Sequence, residues 1–129
     1  MADAVVNNVI FQGSRRYALK MTCVSDGTGE TNVVKIDIST LTLFNGTACT
    51  RLAIEEIEWD VQGFTYVKLS FDQTTDYTIA LMSGRGSVSY AHLGYAFDNG
   101  TGGTGDLLLS SVGPTSGDTY DITVVCQLR

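Results

Sequence analysis

Alternation of apolar and polar residues with a period of two is the feature that most constrains how this chain can fold. The alternation is clearest after Asp118, where every second residue from Tyr120 to Leu128 is apolar and most residues between them are polar. Successive side chains of a strand point to opposite faces, so such a run buries one face and exposes the other. No long segment keeps the 3.6-residue period of an amphipathic helix. The sequence therefore predicts an all-β protein.

The spacing of these runs indicates the architecture. Alternating segments recur along the chain and are separated by turns rich in glycine, asparagine and aspartate, a pattern that fits a sandwich, a jelly roll or a small barrel. A length of 129 residues corresponds to one domain that can bury a core without disulfides or metal. We predict an antiparallel β-sandwich, jelly-roll-like, over residues 15–129, preceded by an N-terminal arm or edge strand over residues 1–14.

Two local predictions follow from the pattern. The alternating runs at 15–24 and 31–38 are joined by Asp26-Gly27, which predicts a β-hairpin. In the run at 51–61 the apolar parity changes at Glu55-Glu56. One extra residue moves all later side chains to the other face, so the change predicts a β-bulge there.

Charge and cysteine content narrow the partners. The net charge of -6 and pI near 4.4 disfavour binding to phosphate backbones, so we expect no nucleic-acid partner. No apolar run approaches the roughly 20 residues that span a bilayer, and no membrane partner is expected.

The three cysteines include no C-x-x-C pair, which favours buried thiols over disulfides or zinc. No secretory signal follows Met1, so we expect folding in a reducing cytoplasm.

Candidate catalytic residues are few. His92 is the one histidine, and no serine has the spacing of a nucleophile elbow, so His92 is interpreted as a packing residue at a loop edge. Acidic residues cluster at Glu55, Glu56, Glu58 and Asp60, and paired carboxylates can hydrolyse glycosides. Glu56, Glu58 and Asp60 nevertheless share one strand parity, which is typical of a solvated face. We predict a non-enzymatic protein without a cofactor.

Two features leave a ligand-binding alternative open. The loop from Asp98 to Asp106 could offer calcium the oxygens of Asp98, Asn99 and Asp106, although it matches no known calcium-loop pattern and a flexible loop is the simpler interpretation. Three tyrosines could line a sugar-binding face, but they lie on the apolar parity of their strands, where core aromatics are expected. They are Tyr17, Tyr77 and Tyr120. A lectin-like module is therefore the second hypothesis.

A set of strand and turn segments resembles a known family. It comprises YALKMT at 17–22, VSDGTGE at 24–30, VVKIDIS at 33–39, the run at 67–72, GDLLL at 105–109 and SGDTY at 116–120. Together these segments resemble small all-β virion proteins of tailed bacteriophages, cyanophages among them. The resemblance implies a head decoration (cement) protein located in the virion and assembled in the host cytoplasm. Its partners would be the major capsid protein and further copies of itself, as a dimer or trimer.

The N-terminal segment is the candidate interface. It combines Asn7 with the apolar stripe of Val9, Ile10 and Phe11. Such a stripe could add a strand to a capsid protein or to a neighbouring copy. An edge strand of the protein's own sheet is the simpler interpretation.

Overall fold

The computed structural model describes residues 4–13, 15–43, 46–50, 52–74, 77–90, 96–97 and 104–128. Strands dominate these residues, as the alternation predicts, and a short 3-10 helix at Ile38–Thr40 is the one helical segment in the described ranges. The ten strands are β1 Ala4–Gln12, β2 Arg16–Asp26, β3 Val33–Ile36, β4 Leu52–Gln62, β5 Tyr66–Phe71, β6 Tyr77–Met82, β7 Gly84–Ser89, β8 Ala96–Phe97, β9 Leu107–Val112 and β10 Ser116–Leu128.

The strands form two antiparallel sheets. The larger sheet has the order β1-β2-β10-β4-β7, with β8 also paired to β4, and the smaller sheet has the order β3-β9-β5-β6. Strand pairs β2–β10 and β4–β7 lie in one sheet, and β3–β9 and β5–β6 lie in the other. A ribbon of antiparallel pairs wound across two sheets in this way is a jelly roll. The predicted all-β sandwich is confirmed, and β1 and β8 are extra strands outside its eight-strand scheme.

The core lies between the two sheets and consists of the inward residues of both. Among the fully buried side chains are Met21 on β2, Ile57 on β4, Leu109 on β9 and Ile122 on β10. Tyr17 and Tyr120 are also buried in this core, as their parity predicts. Within the described residues no helix is long and apolar enough to cross a membrane.

The predicted hairpin between the second and third strands is wrong. β2 pairs with β1 and β10 in the larger sheet, whereas β3 pairs with β9 in the smaller one. Gly27, at a φ of 103°, begins a connection that crosses from one sheet to the other. Both strands bury their apolar residues in the same core from opposite sides, and this arrangement produces the same alternation as a hairpin does.

The bulge predicted on β4 is confirmed, and β6 contains an irregularity that the alternation does not reveal. On β4 the pairing with β10 skips Glu55, so the bulge lies where the parity change places it. On β6 the apolar alternation runs through Tyr77, Ile79 and Leu81, yet Leu81 is exposed and Met82 is buried. The pairing of β6 with β5 skips Ile79, and this irregularity moves the later residues to the other face.

Candidate interaction edge

The N-terminal strand is the outer edge of the larger sheet. β1 pairs with β2 along its length, from Ala4 opposite Val24 to Gln12 opposite Tyr17, with one register shift after Val9. In the described part of the chain its other side has no neighbouring strand. The N–H and C=O groups on that side form an edge to which another strand can hydrogen-bond.

β1 extends beyond the smaller sheet. Asn7 and Val9 lie opposite Met21 and Leu19, so all four side chains occupy the inner face of the larger sheet. Met21 and Leu19 are buried, whereas Asn7 is exposed and Val9 is 47% exposed. The smaller sheet therefore covers β2 but leaves most of the inner face of β1 uncovered.

The exposed apolar residues of this edge occupy both of its faces. Val6, on the outer face, is 51% exposed and Ile10, at the register shift, is 59% exposed. Of the predicted interface residues, Asn7, Val9 and Ile10 are thus at the surface of the edge. The backbone of Phe11 pairs with Ala18, and its side chain lies outside the described part of the structure.

The charge around β1 differs from that of the rest of the chain. Residues 4–25 contain Arg15, Arg16 and Lys20 and no acidic residue, whereas the whole chain has 14 acidic residues and a net charge of -6. On β2, Arg16 contacts Glu55 at 2.5 Å and Lys20 lies 3.6 Å from Asp121. The edge itself is uncharged, and both of these basic side chains have acidic partners on other strands.

The other sheet edges are shorter or carry charge. β3 has four residues, one of them Lys35, and β7 has six residues with Arg85 at its exposed start. Of the remaining edges, β8 has two residues, and β6 has six residues and one strongly exposed apolar side chain, Leu81. Native proteins protect edges by keeping them short or placing charges on them. β1, with nine residues and no charge, has neither protection.

A shallow groove of about 510 Å³ lies on the outer face of the larger sheet. Ion pairs border it: Arg85 donates to Asp60 at 3.0 Å, and Lys20 faces Asp121. Bonds from Gln62 and Arg85 to its carboxylate lower the pKa of Asp60. Of the three acidic residues predicted to lie on a solvated face, Glu58 and Asp60 line this groove, and Glu56 is partly exposed.

The remaining candidate residues do not form a site in the described ranges. Asp106 is buried and its Oδ1 accepts the backbone N–H of Ile38 at 3.0 Å, so this carboxylate stabilises the fold. His92, Asp98 and Asn99 lie outside the described residues. Over the described residues, no group of three or more His, Cys, Asp or Glu side chains could share a metal ion.

A buried ionic network escaped the sequence analysis. Lys35 Nζ contacts Glu30 Oε2 at 2.7 Å, with side-chain exposures of 1% and 9%, and the Tyr120 hydroxyl donates to the other oxygen of Glu30. Both charges are paired, so the network links β3 and the preceding connection to β10 across the sandwich. Each polar group of the network has a partner, which marks it as structural.

The cysteines are buried as predicted. Cys23, Cys49 and Cys126 are all free thiols inside the protein. Desolvation by burial, followed by the proximity of Cys49 and Glu55, raises the pKa of Cys126 to about 12. A thiol with such a pKa is not a nucleophile at neutral pH.

Comparisons with known proteins add little to this description. No family model matches the chain, and no curated protein matches it. Among solved structures, it is similar to a cupin domain from Bordetella pertussis Tohama I, with 7% identity and a TM-score of 0.42 over 100% of this chain and 97% of that one. At this TM-score, the assignment to the jelly-roll class depends on the chain's own strand order.

Proposed function

We propose that the chain is a non-enzymatic structural protein of a tailed-phage particle, a head decoration protein that binds the major capsid protein and stabilises the shell. The observation that carries the proposal is the uncharged, unprotected β1 edge with its exposed Val6, Val9 and Ile10. A compact jelly roll provides the rigid body, and the edge provides a surface for contact. The resemblance to phage virion proteins supplies the class of particle.

A weak contact that is repeated many times over a shell can give tight binding. Exposed apolar side chains such as Val6 and Ile10 can fill apolar depressions on a partner. Each such contact is small, but a decoration protein repeats it over many symmetric positions and, when oligomeric, binds several positions at once. Linked contacts of this kind hold far more tightly than any single one.

Binding to shells that lack the protein tests the proposal. We expect the full chain to co-sediment with purified phage heads, and Val9→Lys to bind much more weakly because it places a charge on the edge. Leu81→Lys is the matched control, since it also adds a lysine at an exposed edge position, on β6. Equal binding by all three proteins, or binding by none of them, would overturn the proposal.

The groove on the larger sheet favours one other function, a lectin-like module. Its bordering charges and hydroxyls, among them Glu58, Arg85 and Thr123, are groups that hydrogen-bond sugars. Glycan-array binding by the wild type that is lost in Glu58→Gln, with the fold unchanged, would support this module. Capsid binding with no glycan binding would exclude it in favour of the structural role.

A further inference from the structure

We propose that β1 is a homotypic interface, through which two copies of this chain pair antiparallel about a two-fold axis at Asn7. The inference rests on the proposed function in taking β1 as the assembly surface. It assigns the hydrogen-bonding side of the strand to a second copy and leaves exposed outer-face side chains, Val6 among them, to the capsid protein. The result would be a single sheet that continues from one copy into the next.

Symmetry restricts how the two strands can meet. A two-fold axis that pairs antiparallel copies of one strand is perpendicular to the sheet, so inner-face residues meet inner-face residues. With the axis at Asn7, Val5 lies opposite Val9 of the second copy, and Asn7 faces its own equivalent. On the outer face, Val6 lies opposite Asn8. The inner face of the pair is therefore valine against valine on both sides of an asparagine pair.

The residue pairs that each register creates select the axis position. The ladder with β2 is regular over residues 4–9 and shifts before Phe11. An axis at Asn8 would place Asn7 opposite Val9 on the inner face, with Ile10, inside the shift, only two residues from the axis. An axis at Val6 would place asparagines opposite valines on the inner face. An asparagine amide both donates and accepts, so two Asn7 side chains can bond to each other on the axis.

Charge favours this surface for self-association. Two copies with a net charge of -6 repel each other, and the repulsion is smallest where neither presents acidic residues. Residues 4–25 contain none. The basic side chains of Arg16 and Lys20 are next to Glu55 and Asp121 of their own copy, so pairing at β1 brings no uncompensated like charges together.

Pairing would also cover the part of β1 that extends beyond the smaller sheet. Val5 packs partly against the core, whereas Asn7 and Val9 extend past the smaller sheet. In the dimer each Val9 contacts Val5 of the other copy, so apolar surface is buried on both sides of the axis. The area contributed by one strand pair is well below the roughly 1,200–2,000 Å² of stable interfaces, so we expect a reversible dimer.

Site-specific disulfide formation tests the register. Directly opposite Cα atoms lie about 4.5–5.5 Å apart and diagonal ones about 7–8 Å, while disulfides need about 4.4–6.8 Å. Under mild oxidation Asn7→Cys should therefore form a covalent dimer, and Asn8→Cys, whose equivalent lies on a diagonal, should not. Equal cross-linking of both variants, or none in either despite native circular dichroism, would overturn the inference.

Sedimentation velocity provides an independent measurement without cysteine. We expect the wild type and Leu81→Lys to show a concentration-dependent dimer and Val9→Lys to remain a monomer. A wild type that is monomeric at all concentrations, or a Val9→Lys variant that still dimerises, would contradict the interface. Dimers that fail to bind phage heads would refute the proposed function alone, and head binding by a strict monomer would refute the homotypic interface alone.

Discussion

The buried pair of Lys35 and Glu30 ties distant parts of the chain together at the residue scale. Removing one member of a buried pair leaves an uncompensated charge and costs about 3–5 kcal/mol. We therefore expect Lys35→Met to lower the free energy of unfolding by about that amount in urea titrations. Adding Glu30→Gln should restore much of the loss, because the amide is neutral and still accepts the Tyr120 hydroxyl.

An exposed pair is the control for this experiment. Arg85 and Asp60 are 82% and 36% exposed at their side chains, and solvent screens such pairs. Arg85→Met should leave the urea midpoint almost unchanged. A Lys35→Met variant as stable as Arg85→Met would contradict the structural role given to the buried network.

Alanine substitutions at two turn glycines distinguish the cost of backbone strain from the cost of steric crowding. Gly63 and Gly117 have φ values of 92° and 93°, so alanine is strained equally at both. A Cβ at Gly63 would also collide with the Asp118 carboxylate, which holds Thr115, whereas nothing lies within 4 Å of one at Gly117. We expect Gly117→Ala to cost about 1 kcal/mol and Gly63→Ala clearly more. Thermal melts of the two variants check this, and equal losses would contradict the packing at Gly63.

The cysteines provide a third test at this scale. Burial holds Cys126 as a thiol, with its pKa raised to about 12, and Cys23 and Cys49 are buried as well. At pH 8 the native protein should react with Ellman's reagent only slowly. In the unfolded protein all three cysteines should react quickly and give the full absorbance. Rapid reaction in the native state would show that the core opens easily.

At the scale of elements, the eight-strand jelly roll is complete without β1. Removing residues 1–12 makes β2 the new edge and deletes the contact of Val5 with the core. We expect circular dichroism of residues 13–129 to keep its β-sheet signal. The free energy of unfolding should fall by on the order of 1–3 kcal/mol. Binding to phage heads should be lost. Collapse of the β-sheet signal would show that β1 belongs to the body of the domain.

The sequence predicts the strands better than their partners. Alternation identifies β10 and β2 directly, since their inward residues are apolar at every second position. It does not tell which sheet a strand joins, because β2 and β3 contribute the same pattern to one core from opposite sheets. β4 has 11 residues, so the change of apolar parity at Glu55 can be recognised from the residues on both sides of it. β6 has only six residues, too few for the alternation to reveal that Ile79 is left out of the strand pairing.

The candidate edge was predictable in part for similar reasons. Asparagines inside the apolar run at 5–11 indicate that the segment is not wholly buried. The overhang of β1 depends on the smaller sheet ending opposite β2, which no local pattern reveals. The Glu30 and Tyr120 contact joins residues 90 positions apart, and Glu30 lies in a connection where a solvated carboxylate is the ordinary expectation.

At the scale of the whole molecule, the structure combines a complete jelly roll with β1, the one edge in the described residues that neither short length nor charge protects. The body accounts for stability, and the edge is the surface to which we assign assembly. A single measurement tests the resulting account most directly, namely quantitative mass spectrometry of purified phage particles for the ratio of this chain to the major capsid protein. The account predicts a ratio close to equimolar, within a small factor, as expected for a protein that covers the shell. Absence from the particles would contradict it.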